Sequence, residues 1–420
     1  MLGPRRKVPA STSLNNRSSS FTGHVRDLAS DGRGVVTAPD GKVFLVAGAW
    51  LGEVVEVSPT GGKGQIGFGA VKTRLESASV RRQPPCRHHG FEDGQCGGCP
   101  WQFVDYPAQL SAKDQRVRAM CTQLDISAEL IQPIVAAPGE WQYRNRAQFK
   151  TDGELLGYVS TGSNTLADIH TCSVLTPANQ ASLKQLRARL PVQQWRPEKR
   201  HRWRTLNIDD TLEGMSVDER LPFRQGNSAQ NVFMQRWLAR QIKDYSTDWP
   251  VLEFFCGTGN FTTVLAKHFH TVTAVEGNRR ALDALDAGPS AGVVTVCCDL
   301  FDDAAVDVLC KKNTQTKVLV LDPPRDGLKI RAPVFRRLRD LEVIFYMSVT
   351  SPPGAGITRT FAVRVSPWLS SKRSTCFHKL PTWKFCQYSV AAERWLGSAK
   401  NAAMSCSLPR MITRSRRLSI

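Results

Sequence analysis

The chain of 420 residues carries 56 Lys or Arg against 37 Asp or Glu, a formal charge of +19, and twelve cysteines. That length suits roughly two to four domains; no apolar run approaches the about eighteen residues of a membrane span, and residues 1–20 are basic and polar without an apolar h-region, so a membrane protein and a secreted disulfide scaffold are disfavoured and the cytoplasm is the expected compartment. The charge points to a polyanionic partner, but residues 349–420 hold twelve Lys or Arg and one acid, +11 of the +19, so the body is only moderately basic and the tail needs its own explanation.

Residues 1–20 read as a disordered basic arm. From 21 to 81 short alternating runs are broken by glycine (G-R-G-V-V-T, G-K-V-F-L-V, G-E-V-V-E-V), the pattern of a small β-barrel of five strands. Such barrels bind single-stranded nucleic acid or protein partners. Residues 82–222 form an expected central domain. It opens with Cys86, then Cys96-Gly-Gly-Cys99, and carries Cys172 further on. Two thiolates at C-x-x-C spacing can grip one ion or one corner of a cluster, and the residues alone leave zinc and iron-sulfur open. Tyr143-Arg144-Asn145-Arg146 and the segment from Trp195 to Arg204 interleave aromatic and basic groups. That composition suits either RNA contacts or a solvated basic face.

From 223 the pattern becomes that of an α/β domain. Phe223-Arg224-Gln225-Gly226-Asn227 leads through Asn231 into an amphipathic helix, its amides serving either a ligand or a helix cap. Val251 to Thr262 (V-L-E-F-F-C-G-T-G-N-F-T) reads as strand, glycine turn and helix. Glycines at 257 and 259 allow positive φ and close approach of a ligand, and the new helix offers free N–H groups. The next strand ends in Glu276, placed to accept hydrogen bonds from both hydroxyls of a ribose. Two further buried-strand runs, 317–321 and 342–348, end at Asp322-Pro-Pro-Arg and at Ser348. In an open parallel sheet ligands gather at these carboxyl ends. The pattern suits a class I, Rossmann-like methyltransferase domain at 223–348; the third glycine of dinucleotide binders is missing, which makes NAD the weaker guess.

In this order, the barrel, Cys-(x)n-Cys-Gly-Gly-Cys, Y-R-N, F-x-Q-x-N-x-x-x-N, L-x-x-F-C-G-x-G-N-F, V-E and D-P-P-R resemble the RNA uracil-5-methyltransferase family, and within it the branch that methylates bacterial 23S rRNA. The resemblance covers residues 21–348. It implies a TRAM-type barrel, a 4Fe-4S cluster held by Cys86, Cys96, Cys99 and Cys172, and contacts to S-adenosylmethionine from Gln225, Phe255, Asn260, Glu276, Asp299 and Asp322. It implies 23S rRNA as partner, with no membrane; a monomer is expected. A tRNA uridine methyltransferase and a non-catalytic RNA-binding remnant are the alternatives. Carbon 5 of uracil is a poor nucleophile, so a cysteine thiolate adds to carbon 6. The enolate so formed takes the sulfonium methyl at carbon 5, a base removes the carbon 5 proton, and the thiol is eliminated. The base must first leave its stack.

The family places that cysteine directly after the strand ending at Ser348, and its glutamate base in a later H-V-E. Here Val349 stands at the first position, Lys384 marks the neighbourhood of the second, and no V-E follows. Residues from 349 can be encoded so that the preceding frame reads C-N-L-A-T-W-S-R-D. Residues 375–384 can likewise be encoded so that the same frame gives D-M-F-P-Q-T-S-H-V-E. Loss of one nucleotide after codon 348 is therefore expected, with 349–420 translated out of frame and the chain as written inactive. It would also leave the strand at 342–348 as an exposed edge, an invitation to aggregation.

Overall fold

The computed structural model describes residues 19–123, 126–211, 214–219, 221–288, 291–324, 328, 332–348 and 361–365. Most of the basic arm, Arg325, Val349, Lys384 and most of the tail thus lie outside the described residues.

Five strands, β1 (Phe21–Leu28), β2 (Gly34–Thr37), β3 (Val43–Ala47), β4 (Val54–Lys63) and β5 (Ile66–Glu76), close into a barrel of order β1-β2-β3-β5-β4. Their alternation puts Val25, Val36, Val46, Val55 and Val57 inside with no exposure. Gly67 lies on Phe44 so closely that a Cβ would stand 2.4 Å from its ring, so only glycine fits that crossing. The buried Glu53 ties the exit of the barrel down. It accepts from Trp50 N at 2.9 Å, Arg81 Nε at 2.5 Å, Arg74 Nε at 3.3 Å and Ala78 N at 3.3 Å.

The cysteine-bearing segment then folds against the barrel. Trp101 Nε1 donates to Gly32 O at 2.8 Å, and Trp50 and Trp101 meet edge to face at 5.1 Å. After α1 (Tyr106–Gln123) an antiparallel sheet forms from β6 (Arg146–Thr151), β7 (Leu156–Val159), β8 (Leu166–Asp168), β9 (Arg204–Asp209) and β10 (Ser216–Val217), in the order β10-β9-β6-β7-β8. Between β8 and β9 runs α2 (Pro177–Ala188), which buries Leu183 and Leu186 in the core of that sheet. Trp195 joins this core and stays 3% exposed, with Arg189 stacked over its ring at 4.9 Å. Arg196 pairs with Glu154, and Arg204 with Asp218. The basic-aromatic segment is therefore half structural: Trp195 is buried and Trp203 half-buried, while Arg196 and the run from Glu198 to Arg202 are exposed.

The third unit is a doubly wound sheet. Helix α3 (Ser228–Ile242) precedes β11 (Val251–Phe254), α4 (Thr262–Leu265), β12 (Val272–Glu276), α5 (Arg279–Asp286), β13 (Val293–Cys297), α6 (Asp303–Lys312), β14 (Val318–Leu321), β15 (Val343–Ser348) and β16 (Phe361–Val365), with strand order β13-β12-β11-β14-β15-β16. Both faces are covered. Val251, Val318, Val320 and Phe345 pack with Trp237 and Leu238 of α3, while Leu252, Phe254, Leu319 and Leu321 pack with Val306 and Leu309 of α6. Two-sided burial is why these strands read as continuous apolar runs instead of alternating ones. The helix expected after the glycine turn shrinks to the single turn of α4, continued by turns that end where Phe269 N meets Leu265 O at 2.8 Å.

The expectation that β15 would be a bare edge is corrected. β16 runs antiparallel along it, from Ile344 opposite Val365 to Ser348 opposite Phe361. An unpaired row of peptide groups recruits a nearby extended segment, and Phe-Ala-Val-Arg-Val has the composition for it. The edge has moved out by one strand. Among the described residues no helix is long and apolar enough to cross a membrane.

Candidate active site

Phe255, Asn260, Glu276, Asp299 and Asp322 stand at or just after the carboxyl ends of the neighbouring parallel strands β11, β12, β13 and β14. Directly after β11 the backbone turns through Phe255 (φ 61°), Gly257 (φ 57°) and Gly259 (φ 93°). A side chain added at Gly257 would meet nothing within 4 Å, so the turn faces open space, whereas one at Gly259 would strike Leu285 at 2.4 Å. Positive φ in a residue as large as Phe255 is unfavourable and is held only by its surroundings. Cys256 is buried, and burial followed by the nearby carboxylates Glu253 and Glu276 pushes its thiol upward, away from nucleophile chemistry.

Glu276 is fixed at the tip of β12. Its Oε2 accepts from Gly257 N at 3.1 Å and its Oε1 from Asn278 N at 2.9 Å, which joins the tip of one strand to the glycine turn of the next. Cys298 N donates to Glu276 O at 3.1 Å and brings Asp299 alongside, where Oδ1 accepts from Phe301 N at 2.9 Å. Asp322 N donates to Phe254 O at 3.3 Å. Burial pushes the Asp322 carboxyl up to about 7.

The amide cluster resolves residue by residue. Asn227 is the N-cap of α3, its Oδ1 accepting from Gln230 N at 3.1 Å. Asn231 and Asn260 exchange two side-chain hydrogen bonds, of 2.8 and 3.0 Å, and Gln235 Nε2 donates to Asn260 O at 2.9 Å. This bolts α3 to the glycine turn. Gln225 is buried, and its Oε1 has no hydrogen-bond partner among the described residues. Asn145, at the entry to β6, donates through Nδ2 to Gln225 O at 2.8 Å and to Ser228 Oγ at 2.8 Å. The antiparallel sheet is thereby tied to the start of the doubly wound one.

A family model described as tRNA (Uracil-5-)-methyltransferase matches residues 203–289, the stretch that contains the glycine turn and Glu276. An uncharacterized RNA methyltransferase of Nitrosomonas europaea is 35% identical over 341 residues, 78% of this chain and 86% of the relative. The protein belongs to the RNA uracil-5-methyltransferase family. Another relative, the 23S rRNA (uracil(1939)-C(5))-methyltransferase RlmD of Halomonas elongata, is 28% identical over 441 residues, 88% of this chain and 89% of that one. The crystal structure of the Pyrococcus abyssi tRNA (uracil-54, C5)-methyltransferase with S-adenosyl-L-homocysteine shares the fold, with a TM-score of 0.55 at 18% identity, over 79% of this chain and 90% of that one.

In this family member the residue that motif reading missed is Glu253. It lies inside β11, fully buried, with Oε2 accepting from Thr262 Oγ1 at 2.6 Å and Oε1 without a partner among the described residues. Burial, reinforced by Asp322, pushes its carboxyl up to about 8. Its only signal in the sequence is an acid within an otherwise apolar strand, V-L-E-F. The positions expected to hold nucleophile and base, Val349 and Lys384, fall outside the described residues.

Cys86, Cys96, Cys99 and Cys172 line one recess, together with His88, His89, Gln102 and Tyr158. Burial pushes Cys96 up to about 11 and Cys172 up to about 12, neighbouring thiols adding to the effect, and Cys99 is raised for the same reasons. The expected four-cysteine centre is only partly assembled. Among the described residues no three His, Cys, Asp or Glu side chains lie close enough to hold a metal ion.

Proposed function

We propose that the protein is, by descent and by the design of its site, an S-adenosylmethionine-dependent methyltransferase acting on carbon 5 of a uridine in 23S rRNA. The observation that carries this reading is the glycine turn locked to Glu276 at the carboxyl end of a doubly wound sheet. The cofactor supplies an electrophilic methyl on its sulfonium. Glu276 would take the ribose hydroxyls, Asp299 and Phe255 would flank the nucleoside, and Gln225, Asn260 and Asp322 would line the end where the methyl is presented. Bound elements around the recess would be a 4Fe-4S cluster on Cys86, Cys96, Cys99 and Cys172. Four thiols around one buried space, without a counter-charge among the residues lining it, are the donor set such a cluster uses. Barrel and cluster together favour rRNA over tRNA as substrate.

We further propose that residues 349–420 are out of frame, so the polypeptide as written does not turn over. With valine at 349 no thiol stands directly after the tip of β15 to add to carbon 6, Cys376, Cys386 and Cys406 all lying well beyond it, and the one glutamate of the tail, Glu393, is not in an H-V-E that would place it to remove the carbon 5 proton. The test is a paired one. The chain as written and a chain with one base restored after codon 348 are incubated with 5-fluorouridine-containing 23S rRNA and tRNA fragments and the methyl donor. A covalent adduct should form only with the restored chain and the rRNA fragment, because fluorine at carbon 5 blocks the final proton removal and traps the thiol. An adduct with the present chain would refute the frameshift, and an adduct with tRNA alone would reassign the substrate.

A further inference from the structure

Residues 142–146 run between two other segments of the chain and are hydrogen-bonded to both. On one side Gln142 N donates to Ser173 O at 3.0 Å, Arg144 N donates to Val174 O at 2.7 Å, and Arg144 O accepts from Thr176 N at 3.0 Å. These partners follow directly on Cys172. On the other side Asn145 N donates to Gly226 O at 3.0 Å, and the buried Asn145 side chain donates to Gln225 O and to Ser228 Oγ. Arg144 thus stands opposite Leu175 in one bridge and opposite Asn227 in another. This strap joins the loop that carries one thiol of the recess to the residue expected to meet the cofactor. Helix α3, which Asn227 caps, continues the line through Asn231 to Asn260 in the glycine turn.

We infer that Asn145 is a positioning residue for Gln225, and that through it a filled four-cysteine recess and a filled cofactor site each raise the other's affinity. This rests on the proposals that Gln225 meets the cofactor and that the four thiols hold a cluster. Both sites need the strap in one place, since one edge of it pairs with the residues after Cys172 and the other edge holds Gln225 and Gly226. Fixing a backbone segment costs conformational entropy. The ligand that binds first meets that cost, and the second finds the strap already in place. Coupling of this kind is reciprocal.

The experiment is calorimetric titration of the full chain with S-adenosylhomocysteine, which needs no catalytic cysteine, before and after the recess is emptied with ferricyanide and a chelator, with iron measured on both samples. Emptying should weaken binding about tenfold. Asn145→Ala should bind equally in both forms, at the strength of the emptied parent, while still holding iron. Asn145→Leu, which keeps the volume and loses the donors, should do the same. Hydrogen exchange gives a reading that a merely structural role would not move: S-adenosylhomocysteine added to the filled parent should slow the amides of 142–146 and leave those of β3 unchanged. If filled and emptied parent bind alike, or exchange at 142–146 does not respond, the coupling is refuted while both sites stand. A tenfold difference that survives in both variants refutes the part given to Asn145. If the parent binds no S-adenosylhomocysteine, the cofactor site falls and the coupling with it; if it binds but carries no iron, the cluster and the coupling fall and the cofactor site stands. Should neither variant fold, or the emptied parent unfold, as seen by thermal melt, the exchange measurement on the filled parent decides.

Discussion

Replacing Glu253 by Gln tests whether a neutral acid sits at the centre of the doubly wound sheet. The carboxyl is buried without a cation, hydrogen-bonded to Thr262 and pushed from 4.5 up to about 8 by burial and by Asp322. Between those two values the folded chain keeps a proton that the unfolded chain has released. Raising the pH therefore favours unfolding, by about 1.4 kcal/mol per pH unit for one such proton. From pH 5.5 to 7.5 the loss amounts to about 2.7 kcal/mol. Glutamine can still accept from the Thr262 hydroxyl and does not titrate. Glu253→Gln should match the parent near pH 4, and between pH 5.5 and 7.5 its lead should widen by about 2.7 kcal/mol, a divergence of about 5–10 °C in Tm over that interval for a domain of this size. Thermal unfolding followed by tryptophan fluorescence suits the purpose, since Trp237 and Trp249 lie in or against this core. Other titrating groups cancel in the difference between variant and parent. Parallel pH curves for the two proteins would refute the reasoning and would mean that Glu253 is ionised in the fold.

Glu53 should behave in the opposite sense. Burial raises its carboxyl, but Arg81 and the backbone donors outweigh that and hold it below the ordinary 4.5, so its contribution is present above that value and is lost on acidification. Glu53→Gln should cost about 3–5 kcal/mol at neutral pH by leaving Arg81 without its buried partner, with the gap from the parent narrowing below pH 4 in acid-denaturation curves. Thr262→Val should destabilise by about 1–3 kcal/mol in urea titrations, and Thr262→Ser should restore most of it. Gly259→Ala, at φ 93° and with its new Cβ 2.4 Å from Leu285, should cost about 1–3 kcal/mol and abolish S-adenosylhomocysteine binding in calorimetric titration. Anaerobically purified protein should carry iron and acid-labile sulfide in equal amounts, and Cys99→Ser should lose both together; zinc in their place would refute the cluster.

The glycine turn and Glu276 were legible because their conformational demand is local. Glycine at 257 and 259 and an acid at the next strand tip are written in adjacent residues. The doubly wound sheet and the small barrel were legible for a related reason, since two-sided burial gives unbroken apolar runs and one-sided burial gives alternation. What failed depends on partners distant in sequence. Trp195 looks the same in a basic loop whether it stacks on a base or fills a core, and only the sheet made by β6 and β9 decides. Asn145 reads as part of a basic motif, yet its side chain reaches residues 225 and 228. Glu253 was hidden by the strand that buries it. The pairing of β16 with β15 was out of reach of periodicity, which describes a strand but not its neighbour.

The barrel closes on strands that all lie between residues 21 and 76, and the antiparallel sheet on strands between 146 and 217. A ribosome adding roughly 5–20 residues per second lets N-terminal units fold while the rest is still being made. Under the proposed function, both units thought to meet RNA are complete before codon 349 is read. A lesion at that codon does not erase the gene product. Under that proposal it would release a polypeptide able to occupy the substrate without modifying it, so the phenotype of such an allele should scale with its expression level and should exceed that of a deletion.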